Sequence, residues 1–396
     1  MPFENETLFN RNYNLLCLCN FLFSCCFHLI LPVLPLYLTE SLDASKTTLG
    51  LVLSLYALAA LLVRPFSGWL VDSFPRRKVF IICMIPFTFC FFGYILIMNL
   101  LLLAGMRFLH GMVFGAASTT ISTMAVDTIP LNKLGTGIGL YGITNSLALA
   151  VGPMCGMLLV ESFSFNAVFL FCTAVALASM IVGLLARPPQ REIVKRERGG
   201  IQLNDFFLKS ALTGFISLIL TGFPYGLLIN YISLHTKEHG IDANAGFYFS
   251  FLALGLIVSR LFSGKLMDKG YLLQVILAGK ICAIIAFCAF ILVTDSSLFL
   301  FSAVIMGVGY GLLSPAYQTM FIILSDAEHH GTANSTYFIA WDISVGVSVL
   351  LGGGLADLIS LDFTFWFGTA LLVFSMLFFL RVTAKRYKQA TTQTAA

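Results

Sequence analysis

The chain has 396 residues, 58% of them hydrophobic and only 11% charged, with a net charge of +4 and a mean hydropathy of +0.92. A soluble domain carries about 25% charged residues, so this chain lacks the polar surface to dissolve, and its small basic excess offers no face for nucleic acid. The composition is that of an all-α polytopic membrane protein, and its 38 phenylalanines suit a lipid-facing exterior.

A membrane-spanning helix needs about 20 mainly apolar residues. On that scale the apolar runs fall at 14–38, 46–71, 79–98, 100–126, 133–160, 165–186, 205–235, 244–267, 271–293, 297–325, 331–358 and 363–383. The first is too long for the core of a cleavable leader and shows no small-residue cleavage site. The twelve runs divide six and six about a charged, Pro- and Gly-containing stretch. The expected organisation is an N-terminal six-helix half (1–186), a cytoplasmic linker (187–204) and a C-terminal half with a short cytoplasmic tail (205–396). Lys and Arg gather in alternate loops, among them Arg76, Arg77, Lys78, Lys133 and Lys269, and in the linker and tail; the opposite loops hold only Lys46 and Lys237. By the positive-inside rule both termini are cytoplasmic. All ten cysteines fall inside apolar runs, so no disulfide framework is implied. Cys25, Cys26 and His28 share the first run but lack a second ligand cluster, and no metal or cofactor is expected.

The two halves repeat one another. Arg64–Lys78 reads RPFSGWLVDSFPRRK, and Arg260–Gly270 reads RLFSGKLMDKG. Arg64, Phe66, Ser67, Gly68, Leu70 and Asp72 recur as Arg260, Phe262, Ser263, Gly264, Leu266 and Asp268, all at an offset of 196 residues. The same offset relates Gly111 to Gly307, Gly115 to Gly311, Gly135-Thr136 to Gly331-Thr332, and Tyr141 to Tyr337. A fixed offset near half the chain length marks an internal duplication.

Gly68, Asp72, Arg76 and Arg77 follow the loop signature of the major facilitator superfamily, Gly-x-x-x-Asp-x-x-Gly-Arg-(Arg/Lys), with Pro75 in place of its second Gly. Arg107-x-x-x-Gly111-x-x-x-Gly115 resembles the helix-4 motif of its proton-coupled members. Gly152-Pro153-x-x-Gly156 resembles the helix-5 motif of its drug:proton antiporters, with Ala148 and Met157 replacing two glycines. The chain thus resembles the twelve-helix drug:proton antiporters of that superfamily. The resemblance implies two pseudo-symmetric six-helix halves with a substrate site between them near the membrane midplane.

The polar residues inside the apolar runs carry the rest. Arginine in hydrocarbon is costly and faces a cavity or a counter-charge; Arg107, matched by Ala303 in the repeat, is read that way, with snorkelling to the outer interface as the structural alternative. His110 lies one turn on. Asp342, matched by Ser146, sits near mid-membrane in the eleventh run, where a desolvated carboxylate suits a proton carrier; a fixed, hydrogen-bonded Asp is the alternative. Lys280 is expected to snorkel to the cytoplasmic side. His28, Asn145, Tyr225, Asn230, Gln318 and Asn334 are candidate linings of the substrate cavity. Asp72 is expected to meet the start of the eleventh helix near Gly331, and Asp268 the start of the fifth near Gly135. Together with Gly68, Arg64, Arg76, Arg77 and Arg260 they would form a conformational latch.

No nucleotide-binding loop, nucleophile–base pair or metal cluster is evident, so an ATP-driven pump or an enzyme is not expected. The function expected is proton-coupled efflux of a small amphipathic organic compound through the cytoplasmic membrane of a bacterium, by a monomer whose partners are that substrate, protons and the bilayer. The alternative is a proton-coupled importer of a small metabolite or sugar on the same fold.

Overall fold

A computed structural model describes residues 7–43, 46–97, 99–188, 205–241, 245–293 and 295–395. Every regular element among them is helical. The twelve long helices are α1 (Arg11–Leu42), α2 (Lys46–Ser73), α3 (Arg76–Leu96), α4 (Leu100–Val126), α5 (Leu134–Ser162), α6 (Phe165–Leu185), α7 (Leu212–Glu238), α8 (Ala245–Leu266), α9 (Leu272–Leu292), α10 (Ser296–Ile323), α11 (His330–Leu358) and α12 (Leu361–Phe378). Through a π-helical turn α12 continues into a tail helix, α13 (Ala384–Ala395). Eleven continuous stretches are long and apolar enough to cross a membrane, and one of them, Phe247–Leu292, holds both α8 and α9. The break between those two falls at Gly270, whose φ of 88° lies in the left-handed region that glycine enters without steric cost.

The helices begin where polar side chains can satisfy their first amides. Asn99 accepts from the Leu101 and Leu102 amides at the start of α4. Asp295, its counterpart 196 residues on, accepts from Ser297 and Leu298 at the start of α10. Ser164 and Ser360 are paired in the same way, capping α6 through Ala167 and α12 through Phe363. Each such cap stabilises a helix start by about 0.5–2 kcal/mol. The duplication therefore extends to capping chemistry, with only the side chain exchanged at the first pair.

One expected start differs. The seventh run was expected from residue 205, yet α7 begins at Leu212 after a short turn at Lys209–Ala211. That stretch is drawn off by groups far along the chain: the Leu208 amide donates to Thr336 Oγ1 at 3.0 Å, and Ser210 Oγ donates to the Leu324 backbone carbonyl at 2.8 Å.

The chain forms two compact units. The first comprises Met1–Leu131, Thr144–Phe207 and Ala327–Ser335, and the second Asn132–Ile143, Leu208–Asp326 and Thr336–Ala396. In the first, α1 packs on α6, α2 on α4, and α3 on both α4 and α6. In the second the same pairs recur as α7 on α12, α8 on α10, and α9 on both α10 and α12. The units exchange short pieces relative to chain order: the start of α11 belongs to the first and the start of α5 to the second. Of the linker at 187–204, all but residues 187 and 188 lies outside the described residues.

The closest helix contacts also repeat at the 196-residue offset. A Cβ on Gly111 would collide with the backbone of Tyr56, its Cα lying at 2.8 Å, and a Cβ on Gly307 with Leu252 and with Gly255, whose Cα lies at 2.9 Å. Small residues four apart permit such backbone approach. In contrast, Gly105 has nothing within 4 Å of where its Cβ would stand. Overpacking a tight contact costs about 1–3 kcal/mol. Gly307→Val is therefore expected to lower the thermal unfolding midpoint of the detergent-purified protein, while Gly105→Ala leaves it unchanged; equal midpoints would show that the α8–α10 contact has room to yield.

Candidate functional site

Two carboxylates at the ends of α2 and α8 each seize the start of another helix. Asp72 lies in the last turn of α2. Its Oδ1 accepts from the Gly331 amide at 2.8 Å, and its Oδ2 from the Thr332 amide at 2.7 Å and the Thr332 hydroxyl at 2.8 Å. Asp268 does the same at the start of α5. It accepts from the Gly135 amide at 2.7 Å, from the Thr136 amide at 3.1 Å and from the Thr136 hydroxyl. A carboxylate here also faces the positive end of the helix dipole. Glycine at 331 leaves the space: a Cβ there would stand 2.6 Å from Asp72 Oδ1.

The two sites differ in what surrounds them. Arg76 lies 3.4 Å from Asp72 and donates from Nε to Asp127 at 3.1 Å; Asp127 in turn lies 3.2 Å from His330 Nδ1. At the positions 196 residues away stand Leu272 for Arg76, Ile323 for Asp127 and Leu134 for His330. The ionic cluster is therefore confined to the Asp72 site. Arg77, in contrast, is exposed. Arg64 and Arg260 are both buried. Arg64 donates to Ser118 Oγ at 3.1 Å and accepts at its carbonyl from Ser335, while Arg260 donates to the Gly142 carbonyl. Gly68 lets Ser335 approach, its Cβ position lying 2.6 Å from that of Ser335.

Deeper in the first unit, Arg107 is buried. Its guanidinium lies 4.2 Å from the centre of the Tyr56 ring and 3.5 Å from Tyr94 Oη, which is 2.9 Å from His110 Nδ1. Tyr56 is itself packed among Phe27, Phe114 and His110. Arg107 Nε, His110 Nε2 and Tyr56 Oη are buried without a hydrogen-bond partner. Arg107 thus points inward rather than snorkelling, held by ring faces and a phenol.

The helix-5 motif sits against α1. Cβ atoms on Gly152 and Gly156 would strike His28 and Leu29, so the two glycines admit α1 to close contact beside Pro153. His28, the candidate lining residue there, is buried with Nδ1 at 2.8 Å from the Ser24 carbonyl of its own helix.

In the second unit, Asp342 is half-buried and lies about 18 Å along α11 from its start, at 1.5 Å per residue. Its neighbour Trp341 packs on Tyr225, which also meets Tyr310 at 4.5 Å between ring centres. Asn145 and Asn230 are exposed, Asn230 bonding back to the Gly226 carbonyl at 2.8 Å. Gln318 is buried. Asn334 belongs to the first unit and is fully buried, its amide donating to Thr123 Oγ1 and accepting from Ser122 Oγ.

Lys280 departs from expectation. Rather than reaching for the cytoplasmic surface, it is fully buried, and Nζ donates to Thr221 Oγ1 and Ser375 Oγ, each at 2.6 Å. Hydroxyls on α7 and α12 supply acceptors inside the unit, and the Tyr317 and Phe379 rings lie within 5.8 Å of the ammonium. No carboxylate among the described residues pairs with it. The signal for this site was the repeat offset with Met84, an apolar residue, opposite a lysine.

Two outcomes follow from this geometry. Both hydroxyls at Lys280 also donate to the Ser217 carbonyl, at 2.6 and 2.9 Å, so neither loses its acceptor when the lysine is removed. Replacing a buried charge by an apolar residue of similar volume is often neutral or stabilising, and Lys280→Met is expected to keep or raise the thermal midpoint. A fall of several degrees would mean that the ammonium is a structural tie. At the other site, hydrogen bonds to a charged group contribute about 1.5–3 kcal/mol. In a background lacking the native cysteines, Asp72→Asn is expected to speed maleimide labelling of Ser335→Cys roughly tenfold, with a smaller effect from Asp268→Asn; unchanged labelling would show that the Asp72 contact holds nothing shut.

The sequence profile described as Major Facilitator Superfamily matches residues 16–348 and 273–396. The chain is 26% identical over 350 residues to the "Multi-drug resistance efflux pump PmrA homolog" of Lactococcus lactis subsp. lactis (strain IL1403), covering 84% of this chain and 85% of that one. It is 23% identical over 386 residues to "Multidrug resistance protein 1" of Bacillus subtilis (strain 168), covering 92% and 94%. Among solved structures, the human organic anion transporter MFSD10 (TETRAN) superposes with a TM-score of 0.81 at 14% identity, over 93% of this chain and 98% of that one. A duplicated twelve-helix body, the signature loop and these matches lead to one conclusion: the chain belongs to the Major Facilitator Superfamily and is a multi-pass membrane transporter, not an enzyme.

Proposed function

We propose that the protein exports a small amphipathic organic compound in exchange for protons. The observation that carries this reading is Asp342, a carboxylate about 18 Å along a membrane-spanning helix whose repeat position holds Ser146. An ionisable group at that depth is expensive and serves an ion pathway by default. The outward direction is supported by the names of two relatives, a multidrug resistance efflux pump and a multidrug resistance protein. The aromatic cluster of Trp341, Tyr225 and Tyr310 in the same unit suits an amphipathic substrate better than a sugar, which needs many hydrogen-bond partners.

In this reading Asp342 takes a proton from outside and yields it inside, while Arg107 sets the polarity of the first half. The halves 1–186 and 205–396 rock about the linker, and Asp72 and Asp268 release their helix starts when the cytoplasmic side opens. Both termini are cytoplasmic, supported by the Lys and Arg bias of the loops. The monomer is the working unit.

Everted membrane vesicles energised with an imposed pH gradient test the proposal, with ethidium as the reporter. Wild type is expected to accumulate the dye when the lumen is acid. Asp342→Asn is expected to lower this uptake at least about tenfold while dye binding to the purified protein persists. Uptake at the wild-type rate in the variant would remove Asp342 from the proton path. Accumulation in right-side-out vesicles instead would make the protein an importer.

A further inference from the structure

His235 and His239 stand one helical turn apart at the end of α7, and Asp362 is the second residue of α12. Asp362 Oδ1 lies 3.2 Å from His239 Nε2 and 3.8 Å from His235 Nδ1. All three donor atoms fall within 4.8 Å of one another. The remaining nitrogen of each ring is already engaged. His235 Nε2 is 3.3 Å from the Phe290 carbonyl, and His239 Nδ1 is 3.1 Å from the His235 carbonyl. A carbonyl can only accept, so these nitrogens carry the ring protons. In the neutral rings the nitrogens that face Asp362 are then lone pairs.

Three electron-rich atoms therefore converge on one point. His235 is fully buried, and its Nδ1 and Asp362 Oδ1 are without any hydrogen-bond partner. The His235 and His239 rings lie 4.2 Å apart between centres, tilted by 37°. A metal ion meets all three donors at once.

We propose that His235, His239 and Asp362 bind a divalent ion of the zinc class. Tetrahedral zinc bonds of about 2.0–2.2 Å place neighbouring donors about 3.3–3.6 Å apart, close to the two separations seen. Paired histidines one turn apart on a helix are a recurrent zinc-binding arrangement. The carbonyl partners of the outer nitrogens fix each ring's tautomer and orientation, as at established metal sites. His235 is clamped further between Phe290 and Phe365. Three protein ligands leave one position for water. Asp362 is 48% exposed as a side chain, while the Oδ1 that faces the histidines is buried. Once bound, the ion ties the end of α7 to the start of α12 within the second unit. The inference is independent of the transport reading. It departs from the expectation that the chain holds no metal, which weighed only Cys25, Cys26 and His28.

Chelator-stripped, detergent-purified full-length protein, titrated with Co²⁺ and then Zn²⁺, tests the site. One Co²⁺ per chain is expected, with the intense visible absorption of tetrahedral coordination, displaced by Zn²⁺. Zn²⁺ is also expected to raise the thermal midpoint. His239→Gln and Asp362→Asn should each weaken binding by more than the roughly 10–100-fold that loss of an outer partner costs, while Asp362→Glu and the control His329→Gln retain it. Thermal unfolding of each variant without metal shows whether it is folded, and either of the two ligand variants suffices. Absence of a tetrahedral Co²⁺ spectrum in wild type, or unchanged affinity in a folded ligand variant, would overturn the proposal.

Discussion

A helix begins with amide groups that have no carbonyl upstream to receive them. Asp72 and Asp268 supply that acceptor to α11 and α5, each through two amides and a threonine hydroxyl. Much of the remaining architecture depends on this contact. It draws 327–335 into the first compact unit and 132–143 into the second, so that each unit borrows the start of one helix. It also explains why Gly331-Thr332 and Gly135-Thr136 recur together: glycine makes room for the carboxylate, and threonine adds a hydroxyl. A carboxylate bound to a helix start is strong while seated and leaves both partners soluble in water once parted. In the proposed exchange, that chemistry would suit a contact made and broken in every cycle.

The duplication is close in geometry and uneven in charge. Caps, close glycine contacts, carboxylate–helix contacts and the buried Arg64 and Arg260 all repeat at 196 residues. Six other ionisable groups do not. Arg107 is opposite Ala303, Lys280 opposite Met84, Asp342 opposite Ser146, and Arg76, Asp127 and His330 are opposite apolar residues. Packing tolerates symmetry because it needs only shape. In the proposed exchange, vectorial chemistry needs a difference between the two sides, and these charges would supply it. The surroundings of Arg107 and Lys280 support the same view. Each cation is wrapped in rings and hydroxyls, with no carboxylate among the described residues in ion-pair contact, an arrangement that stability alone would not favour.

Much of this was legible in the sequence. Twelve apolar runs gave twelve helices because in a bilayer a continuous apolar run of about 20 residues satisfies its backbone hydrogen bonds within a helix. The meetings of Asp72 with the start of α11, and of Asp268 with the start of α5, followed from the repeat together with the side of the membrane expected for each. What stayed hidden was rotation about the helix axis. A helix that is apolar all round carries no periodic mark of its inner face, so the sequence could not decide whether Lys280 turned to the surface or to Thr221 and Ser375. For the same reason Asn334 read as a cavity residue, whereas its amide is engaged by Ser122 and Thr123. The late start of α7 escaped notice because its cause, Thr336 and Leu324, lies far along the chain. The His235–His239 spacing was visible, but its third member on α12 could be placed only by the fold.

The central claim is that proton movement opposes substrate movement. Proteoliposomes loaded with ethidium and an entrapped pH-sensitive dye, with no initial pH gradient, measure it directly. As ethidium runs out down its own gradient, exchange draws protons into the lumen, and the account predicts internal acidification that depends on the protein. A lumen that turns alkaline would indicate protons travelling with the substrate. A lumen whose pH holds steady while ethidium leaves would mean that no proton is coupled at all, and either result would contradict the account.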